Sequence, residues 1–437
     1  MIEKLKAMIL DFHESQLETG VPRRVSLQAV SGKASVCIGV RRSGKSTYLF
    51  QIMQRLLDRK VPRQNILYLN FSDDRLHGLD QAGIGLVAEA YYALFPEKKN
   101  AEMVYCFFDE IQSISGWEPF VDRLMRTEKC AVYLTGSSAR MLSKEIATQM
   151  RGRALSWEMF PFSFREFLDY KGIASTGELS TKRRLLIQKA FGEYWQTGGF
   201  PEVLSLTRQL RVKTHQEYFH AVLFRDLIER HDVAHPKAVN DLAHWLVNNI
   251  ASRYSVNRLT GYLKSLGHNA PKSAVSDYLA WFEDAYFFFS VRIFDASLAR
   301  SHTNPKKAYC VDHAMITSLS SGILVNSGHL LENLVFTALR RVFPEVFYYK
   351  STTGLEVDFI VPSRVRPPIL IQVCESIAEP QTRKREVAAL VAAMTELKIK
   401  SAIIVTRGGG DRIETDEGTI EVLPIWNFLL NLPASEG

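Results

Sequence analysis

Cysteine is scarce in this chain. The five present (Cys37, Cys106, Cys130, Cys310 and Cys374) are odd in number and far apart. They form neither a zinc-ligand spacing nor a disulfide framework, so a reducing cytoplasm is the expected setting. No apolar run approaches the ~18 residues that a membrane-spanning helix needs. The opening stretch, "MIEKLKAMILDFHESQL", is amphipathic and carries acids among its apolar residues, which is not the pattern of a secretory signal. Internal repeats and low-complexity tracts are missing too. Nor is there a strong surplus of one charge. The 54 basic and 47 acidic residues leave a net charge of +7, compatible with a nucleic-acid partner without pointing to one.

What is there fits a soluble globular protein with more than one core. The apolar share is ordinary at 46%, and 437 residues exceed what one hydrophobic core organises, so two or three domains are expected. The most specific stretch is "GVRRSGKST", which fits G-x-x-x-x-G-K-[ST] at every fixed position. It follows the apolar run "ASVCIGV" and precedes "TYLFQIMQRLLDRK", whose apolar residues fall at helical spacing. A glycine-rich loop between strand and helix offers backbone N–H groups and a helix N-terminus to phosphates. Gly39, Val40, Arg41, Arg42, Ser43, Gly44, Lys45, Ser46 and Thr47 are therefore read as the nucleotide-binding residues. Lys45 would reach the β- and γ-phosphates, and the Ser46 hydroxyl would bind Mg2+.

Further strands are expected at "NILYLNF", "MVYCFFDEIQ", "AVYLTGSSA" and "ALSWEMF". The Asp-Glu pair ending the second of these suits a site for metal and water at a strand tip. Asp109 would hold Mg2+ through water, and Glu110 would act as general base toward the attacking water. At the tip of the "AVYLTGSSA" strand, Thr135, Ser137 and Ser138 are all candidates to orient that water, and the sequence does not choose among them. The same residues would also suit a Gly-Ser turn capping the next helix. ATP is preferred over GTP because no N-K-x-D guanine motif occurs.

The series "GVRRSGKST", "LYLNFSDDRL", "FFDEIQSISGWEPFVDRL", "YLTGSSARML", "RGRALSWEMFPFSFREF" and "TGGFPEV" resembles a large prokaryotic family. Its members are AAA+-like ATPases carrying a carboxy-terminal domain of unknown function with a nuclease-like core. The likeness continues through "RDLIER", "NPKKAYCVDHAM", "LLENLVFTALRR" and "EVDFIV", so it spans nearly the whole chain. It implies an α/β fold with a P-loop AAA+-like core, a helical lid and a nuclease-like end. It also implies oligomers in which an arginine near "RGR" reaches a neighbour's site. Arg153 is favoured for that role, with Arg151 in reserve; the bland reading is surface arginines near a helix end. Arg225, in the helical segment where a lid could place a phosphate sensor, reads better as a solvated charge.

From Thr181 to Val233 the pattern is helical, broken at "TGGFPE". "SVNRLTGYLKSLGHNAPKSAVSDYLAWFEDAYFFFSVRIFD" then gives helix, turn, helix, strand, the order of a winged helix. Its second helix would offer Lys272, Ser273 and Ser276 to DNA, but it also carries Asp277, Glu283 and Asp284. Contact with DNA and packing against protein both remain open for it.

The remainder reads strand ("NPKKAYC"), helix ("GHLLENLVFTALRRVF"), strands ("EVFYYKS", "LEVDFIV", "ILIQVCES"), helix ("TRKREVAALVAAMTELKI") and strand ("SAIIVT"). This mixed order matches the PD-(D/E)xK nuclease core, in restriction-endonuclease style. Active members bind magnesium with an acid on the first helix, an aspartate on one strand and E-x-K on the next. Glu332 and Asp358 match the first two positions. Gln372 replaces the strand glutamate, and an amide is a weaker ligand for a hard cation. Cys374 replaces the lysine. Glu375 points to the opposite face of the strand. The site is thus expected to keep its fold and lack cleavage, with Asp358 pairing to a base such as Lys350.

Three domains are expected: residues 1–205 as the ATPase core with the start of the lid, 206–300 as a helical and winged-helix-like domain, and 301–437 as the inactive nuclease-like domain. The leading expectation is an ATP- and Mg2+-dependent ATPase acting as an oligomeric switch or motor on nucleic acid or a nucleic-acid-associated complex. A protein-interaction ATPase of the signalling kind stands second, and an ATP-gated metal-dependent nuclease third. Expected partners are ATP, further copies of the chain, and DNA, RNA or a protein target; no membrane is expected.

Overall fold

A computed structural model describes residues 1–137, 150, 152–177, 180–320, 326–363 and 367–433. The chain forms two compact units that divide between Phe160 and Pro161.

The first unit is built on a five-stranded parallel sheet in the order β2-β3-β4-β1-β5. Its strands are β1 (Ala34–Ile38), β2 (Ile66–Asn70), β3 (Val104–Asp109), β4 (Cys130–Gly136) and β5 (Ala154–Glu158). Strands covered on both faces read as unbroken apolar runs rather than alternating ones, and β1 is buried at every position. The sheet order puts β4 between the strand that feeds the glycine-rich loop and the strand that ends in Asp109. Helix Lys45–Asp58 begins directly after Gly44, whose φ of +93° sets its entry, and it buries Tyr48, Leu49, Ile52 and Met53. Those side chains meet Cys37, Ile66, Phe107 and Tyr133 in one core beneath the loop.

The second unit opens with helix Phe164–Tyr170, started by a reciprocal Ser163–Glu166 capping box. Helix Thr181–Thr197 follows and stops at Gly198, with φ +72°. Asp312 explains why glycines stand at this stop. Its carboxylate accepts from the Gly199 N–H at 2.7 Å and from the N–H groups of Ala314 and Met315 at 2.9 and 3.1 Å. A Cβ on Gly198 would lie 2.3 Å from that carboxylate, and one on Gly199 would lie 2.3 Å from the Phe162 carbonyl oxygen. The "TGGFPEV" and "VDHAM" stretches therefore form one joint. Helix Arg208–Ala221 runs on as a π-helix, Val222–Glu229, which holds "RDLIE" with Arg225 exposed.

Helices Pro236–Asn248, Val256–Ser265 and Lys272–Asp284 accompany a small antiparallel sheet of β6 (Arg253–Tyr254), β7 (Phe288–Val291) and β8 (Lys306–Cys310), ordered β6-β8-β7. Past β7 the chain bonds to another strand, β9 (Phe347–Lys350). The Phe294 N–H donates to the Tyr348 carbonyl at 2.7 Å, and the Tyr348 N–H to the Arg292 carbonyl at 3.0 Å.

β9 edges a six-stranded mixed sheet, β13-β14-β12-β11-β10-β9, with β10 (Glu356–Val361), β11 (Ile369–Cys374), β12 (Ser401–Thr406), β13 (Asp411–Thr415) and β14 (Gly418–Pro424). β9, β10 and β11 pair antiparallel, whereas β11, β12 and β14 run parallel. Helix Ser327–Arg340 is buried along ten consecutive positions, Leu330 to Leu339. Helix Pro380–Leu397 covers the core of Val357, Ile360, Leu370 and Ile404. The β13–β14 hairpin and the helix Ile425–Asn431 lie beyond the last strand read from sequence.

Candidate functional site

The loop from Gly39 to Gly44 holds its shape through backbone conformations that few side chains allow. Gly39 has φ +148°, and a Cβ there would lie 2.0 Å from the Met159 carbonyl oxygen. Arg42 and Gly44 are both left-handed. Arg23 braces the loop from beneath: its guanidinium donates to the carbonyls of Ser43 and Phe160, and it is 8% exposed. Buried Lys45 donates to the Gly39 and Val40 carbonyls at 3.1 and 3.0 Å, so its ammonium lies folded against the loop. The Ser43 hydroxyl is buried with no hydrogen-bond partner among the described residues. Arg41 is half-buried and Arg42 exposed, and Thr47 follows Ser46 into the helix.

Three strand ends converge here. Asp109 is fully buried, and the Ser46 hydroxyl stands near it. The Thr135 hydroxyl donates to the Asp109 Oδ1 and accepts the Glu110 N–H at 2.9 Å. Burial raises the Asp109 pKa above the usual carboxylate range; the Thr135 and Ser46 hydroxyls oppose this, the Glu110 charge adds to it and the Lys45 charge opposes it. Tyr68 on β2 donates to the other carboxylate oxygen at 3.2 Å. Glu110 is only partly buried and left-handed, φ +50°, at the tip of β3. Strained non-glycine backbone of this kind gathers where a side chain must be aimed. The Gln112 amide donates to the Glu110 carboxylate and, at 3.3 Å, to the Ser137 hydroxyl.

Of the three strand-tip candidates, Thr135 touches Asp109, Ser137 reaches Glu110 only through Gln112, and Ser138 lies outside the described residues. Arg153 is half-exposed and pairs with Asp122 at 3.0 Å within its own chain; Arg151 lies outside the described residues. Sequence reasoning missed Arg23, Tyr68 and Gln112. The contacts of Arg23 and Tyr68 cross between strands or loops and leave no local pattern, whereas Gln112 bonds Glu110 two residues away and Ser137 just past β4.

In the second unit, Glu332, Asp358, Gln372 and Cys374 are all buried. Glu332 and Asp358 meet, but around a lysine that the sequence reading did not use. The Lys307 ammonium lies 2.9 Å from Glu332, 2.9 Å from Glu356 and 3.0 Å from Asp358. Lys350, expected beside Asp358, stands instead opposite Glu356 across β9 and β10 and is exposed. Gln372 accepts the Asp358 N–H at 3.1 Å and donates to buried Glu386 at 2.8 Å. Burial pushes the Cys374 thiol up to about 12.

A glycine-rich loop between β1 and its helix, with Asp109 and Thr135 at the neighbouring strand tips, defines a P-loop nucleotide-binding domain of the AAA class. Residues 31–168 match the family described as AAA domain, and residues 188–324 and 327–428 match two domains of unknown function, DUF8612 and DUF4143. An uncharacterized protein of Methanocaldococcus jannaschii is 32% identical over 444 residues, covering 98% of this chain and 96% of that protein, and the chain belongs to its family. An uncharacterized protein of Haemophilus influenzae is 29% identical over 347 residues, 79% of this chain and 83% of that one. Among solved structures, the Aeropyrum pernix ORC1 protein in complex with DNA overlaps with a TM-score of 0.31 at 13% identity, covering 67% of this chain and 87% of that one. C. elegans PCH-2 overlaps with a TM-score of 0.29 at 15% identity, covering 49% and 61%. Overlaps this slight carry no functional argument.

Proposed function

We propose that this chain binds and hydrolyses ATP and works as an oligomeric nucleotide-driven switch or motor on nucleic acid or a nucleic-acid-associated complex. The observation that carries the ATPase reading is the convergence of Lys45, Ser46, Asp109, Thr135 and Glu110 at the ends of three adjacent parallel strands. Ser46 and Asp109 fit Mg2+: a hydroxyl stands beside a buried carboxylate, and the orphaned Ser43 hydroxyl lies in the same loop. Mg2+, when bound, would neutralise charge on the phosphates. Lys45 exchanges its two carbonyl contacts for phosphate oxygens. Thr135 fixes the Glu110 backbone so that the carboxylate can take a proton from water. Gln112 orients that carboxylate.

The nucleic-acid part rests on the middle module. We take this module as winged-helix-like because two helices joined by a turn accompany a three-stranded sheet ordered β6-β8-β7, with Lys272, Ser273 and Ser276 exposed on the second helix. A second reading, a protein-interaction switch, is favoured by one observation: the segment after β7 is hydrogen-bonded to β9, so it is not a free wing, and Asp277 stands on the same exposed helix face. ATPase rates with and without single- and double-stranded DNA separate the two. A rate that rises severalfold with DNA, and loses the rise in Lys272→Glu, supports the first. No change at DNA concentrations that saturate a binding assay, or no binding at all, moves the assignment to the second. An ATP-gated metal-dependent nuclease stands third; in the leading reading the carboxy-terminal sheet is taken as a nuclease-like fold without cleavage. Among the described residues no helix is long and apolar enough to cross a membrane, and a cytoplasmic location is proposed.

A further inference from the structure

Lys307 is 3% exposed, Glu332 7% and Asp358 8%. Burying Glu332 and Asp358 together is costly unless a cation compensates them, and Glu356 stands beside them 27% exposed. The Lys307 ammonium donates to Glu332 and Asp358 at 2.9 and 3.0 Å and makes a third ion pair with Glu356 at 2.9 Å. Glu356 and Asp358 are two residues apart on β10 and share a face, while Glu332 comes from the facing helix. Further bonds hold these acids in place. Tyr309 donates to Glu332 at 2.6 Å, and the Val373 N–H donates to Asp358 at 3.0 Å. Burial pulls the Lys307 pKa down, but Glu332, Tyr309, Asp358 and Glu356 together outweigh it and hold the ammonium charged.

An all-oxygen set of carboxylates from a helix and a strand suits a hard divalent cation. Metal–oxygen bonds in such sites are ~2.0–2.6 Å long, shorter than the ammonium contacts here. In agreement, no group of three or more His, Cys, Asp and Glu among the described residues is spaced to hold a metal. A divalent cation among the same carboxylates would be repelled by the ammonium at close range.

We propose that Lys307 is a cation supplied by the chain itself in the position of a divalent metal ion, and that removing its side chain turns Glu332, Glu356 and Asp358 into a Mn2+ site. The lysine comes from β8 of the small sheet, so the same ammonium fastens that sheet to helix Ser327–Arg340 and β10. This holds whether or not the chain hydrolyses ATP, since it uses no residue of the nucleotide site.

The test is Mn2+ binding by the full chain without nucleotide, followed by the EPR signal of free Mn2+. Lys307→Ala should bind one more Mn2+ per chain than the parent, and adding Asp358→Asn should abolish the gain. The melting temperature of Lys307→Ala should rise with Mn2+ while that of the parent stays constant. If Lys307→Ala fails to fold alone, Mn2+ present during refolding should restore its near-UV circular dichroism, because a ligand bound only by the folded state stabilises it. The proposal is overturned if the folded variant binds no extra Mn2+, or if Mn2+ does not rescue an unfolded one. It is equally overturned if the parent already holds a Mn2+ that Asp358→Asn releases.

Discussion

The Glu110 N–H donates to the Thr135 hydroxyl at 2.9 Å, and the same hydroxyl donates to Asp109. One side chain on β4 thus ties the backbone of the proposed base to the proposed metal-binding carboxylate.

Thr135→Val removes both bonds and keeps the volume. It should leave ATP affinity within a few-fold of the parent and lower kcat by ~10-fold or more, while Thr135→Ser keeps most activity. Glu110→Gln should bind ATP and hydrolyse it at least ~100-fold more slowly, the range for removing a general base. Lys45→Ala should lose nucleotide binding. Equilibrium binding of a fluorescent ATP analogue and steady-state hydrolysis measure these effects; parent-like turnover in Glu110→Gln would show that another group is the base.

Arg153 pairs with Asp122 in its own chain and remains 44% exposed. If it serves a neighbouring subunit, Arg153→Ala should bind ATP and hydrolyse it poorly, since such an arginine contributes ~10³-fold or more. Mixing Arg153→Ala with Glu110→Gln should partly restore activity, because each supplies what the other lacks. Lack of restoration in mixtures that demonstrably co-assemble would make the arginine structural or cis-acting.

The parent should not cleave DNA or RNA with Mg2+ or Mn2+. Gln372 is engaged with Asp358 and Glu386, and Lys307 fills the space between the acids. Cleavage that survives purification and disappears in Asp358→Ala would refute this.

Burial, then the Asp358 charge, raises the Glu332 pKa to about 7 against the opposing effects of Lys307 and Tyr309. His329 also stands within the field of Lys307 and Asp358. The folded state therefore holds a proton on Glu332 that the unfolded state releases near pH 4.5, and the Lys307–Glu332 contact becomes a full ion pair only as pH rises through about 7. The proton's contribution to stability is full below pH 4.5 and is lost as pH rises through about 7. Each group can give at most about 1.4 kcal/mol per pH unit. Glu332→Gln keeps the neutral form, so denaturant titrations across pH 4.5 to 7 should show the parent losing stability relative to the variant as pH rises. Parallel curves would refute the assignment.

The strand–loop–helix placement of the candidate nucleotide site was legible because its motifs are contiguous and placed by the strands on either side. The choice among Thr135, Ser137 and Ser138 was not, since it depends on which side chain β4 turns toward β3. Lys307 had a faint signal: in "NPKKAYC" it shares a strand face with Tyr309, and a lysine on an inward face requires a partner. That partner lies 51 positions away in the case of Asp358, beyond any local pattern. The sequence reading supplied the nearer Lys350 instead. The "DRIETDEGTIEV" stretch alternates about a turn and could have been read as the β13–β14 hairpin.

The backbone bonds between residues 292–294 and β9 form an isolated bridge that ties the chain leaving the small sheet to the edge of the large one. Packed protein is stiff and passes strain on rather than absorbing it. Separating the small sheet from the large one would therefore break those bonds and the Lys307 contacts together.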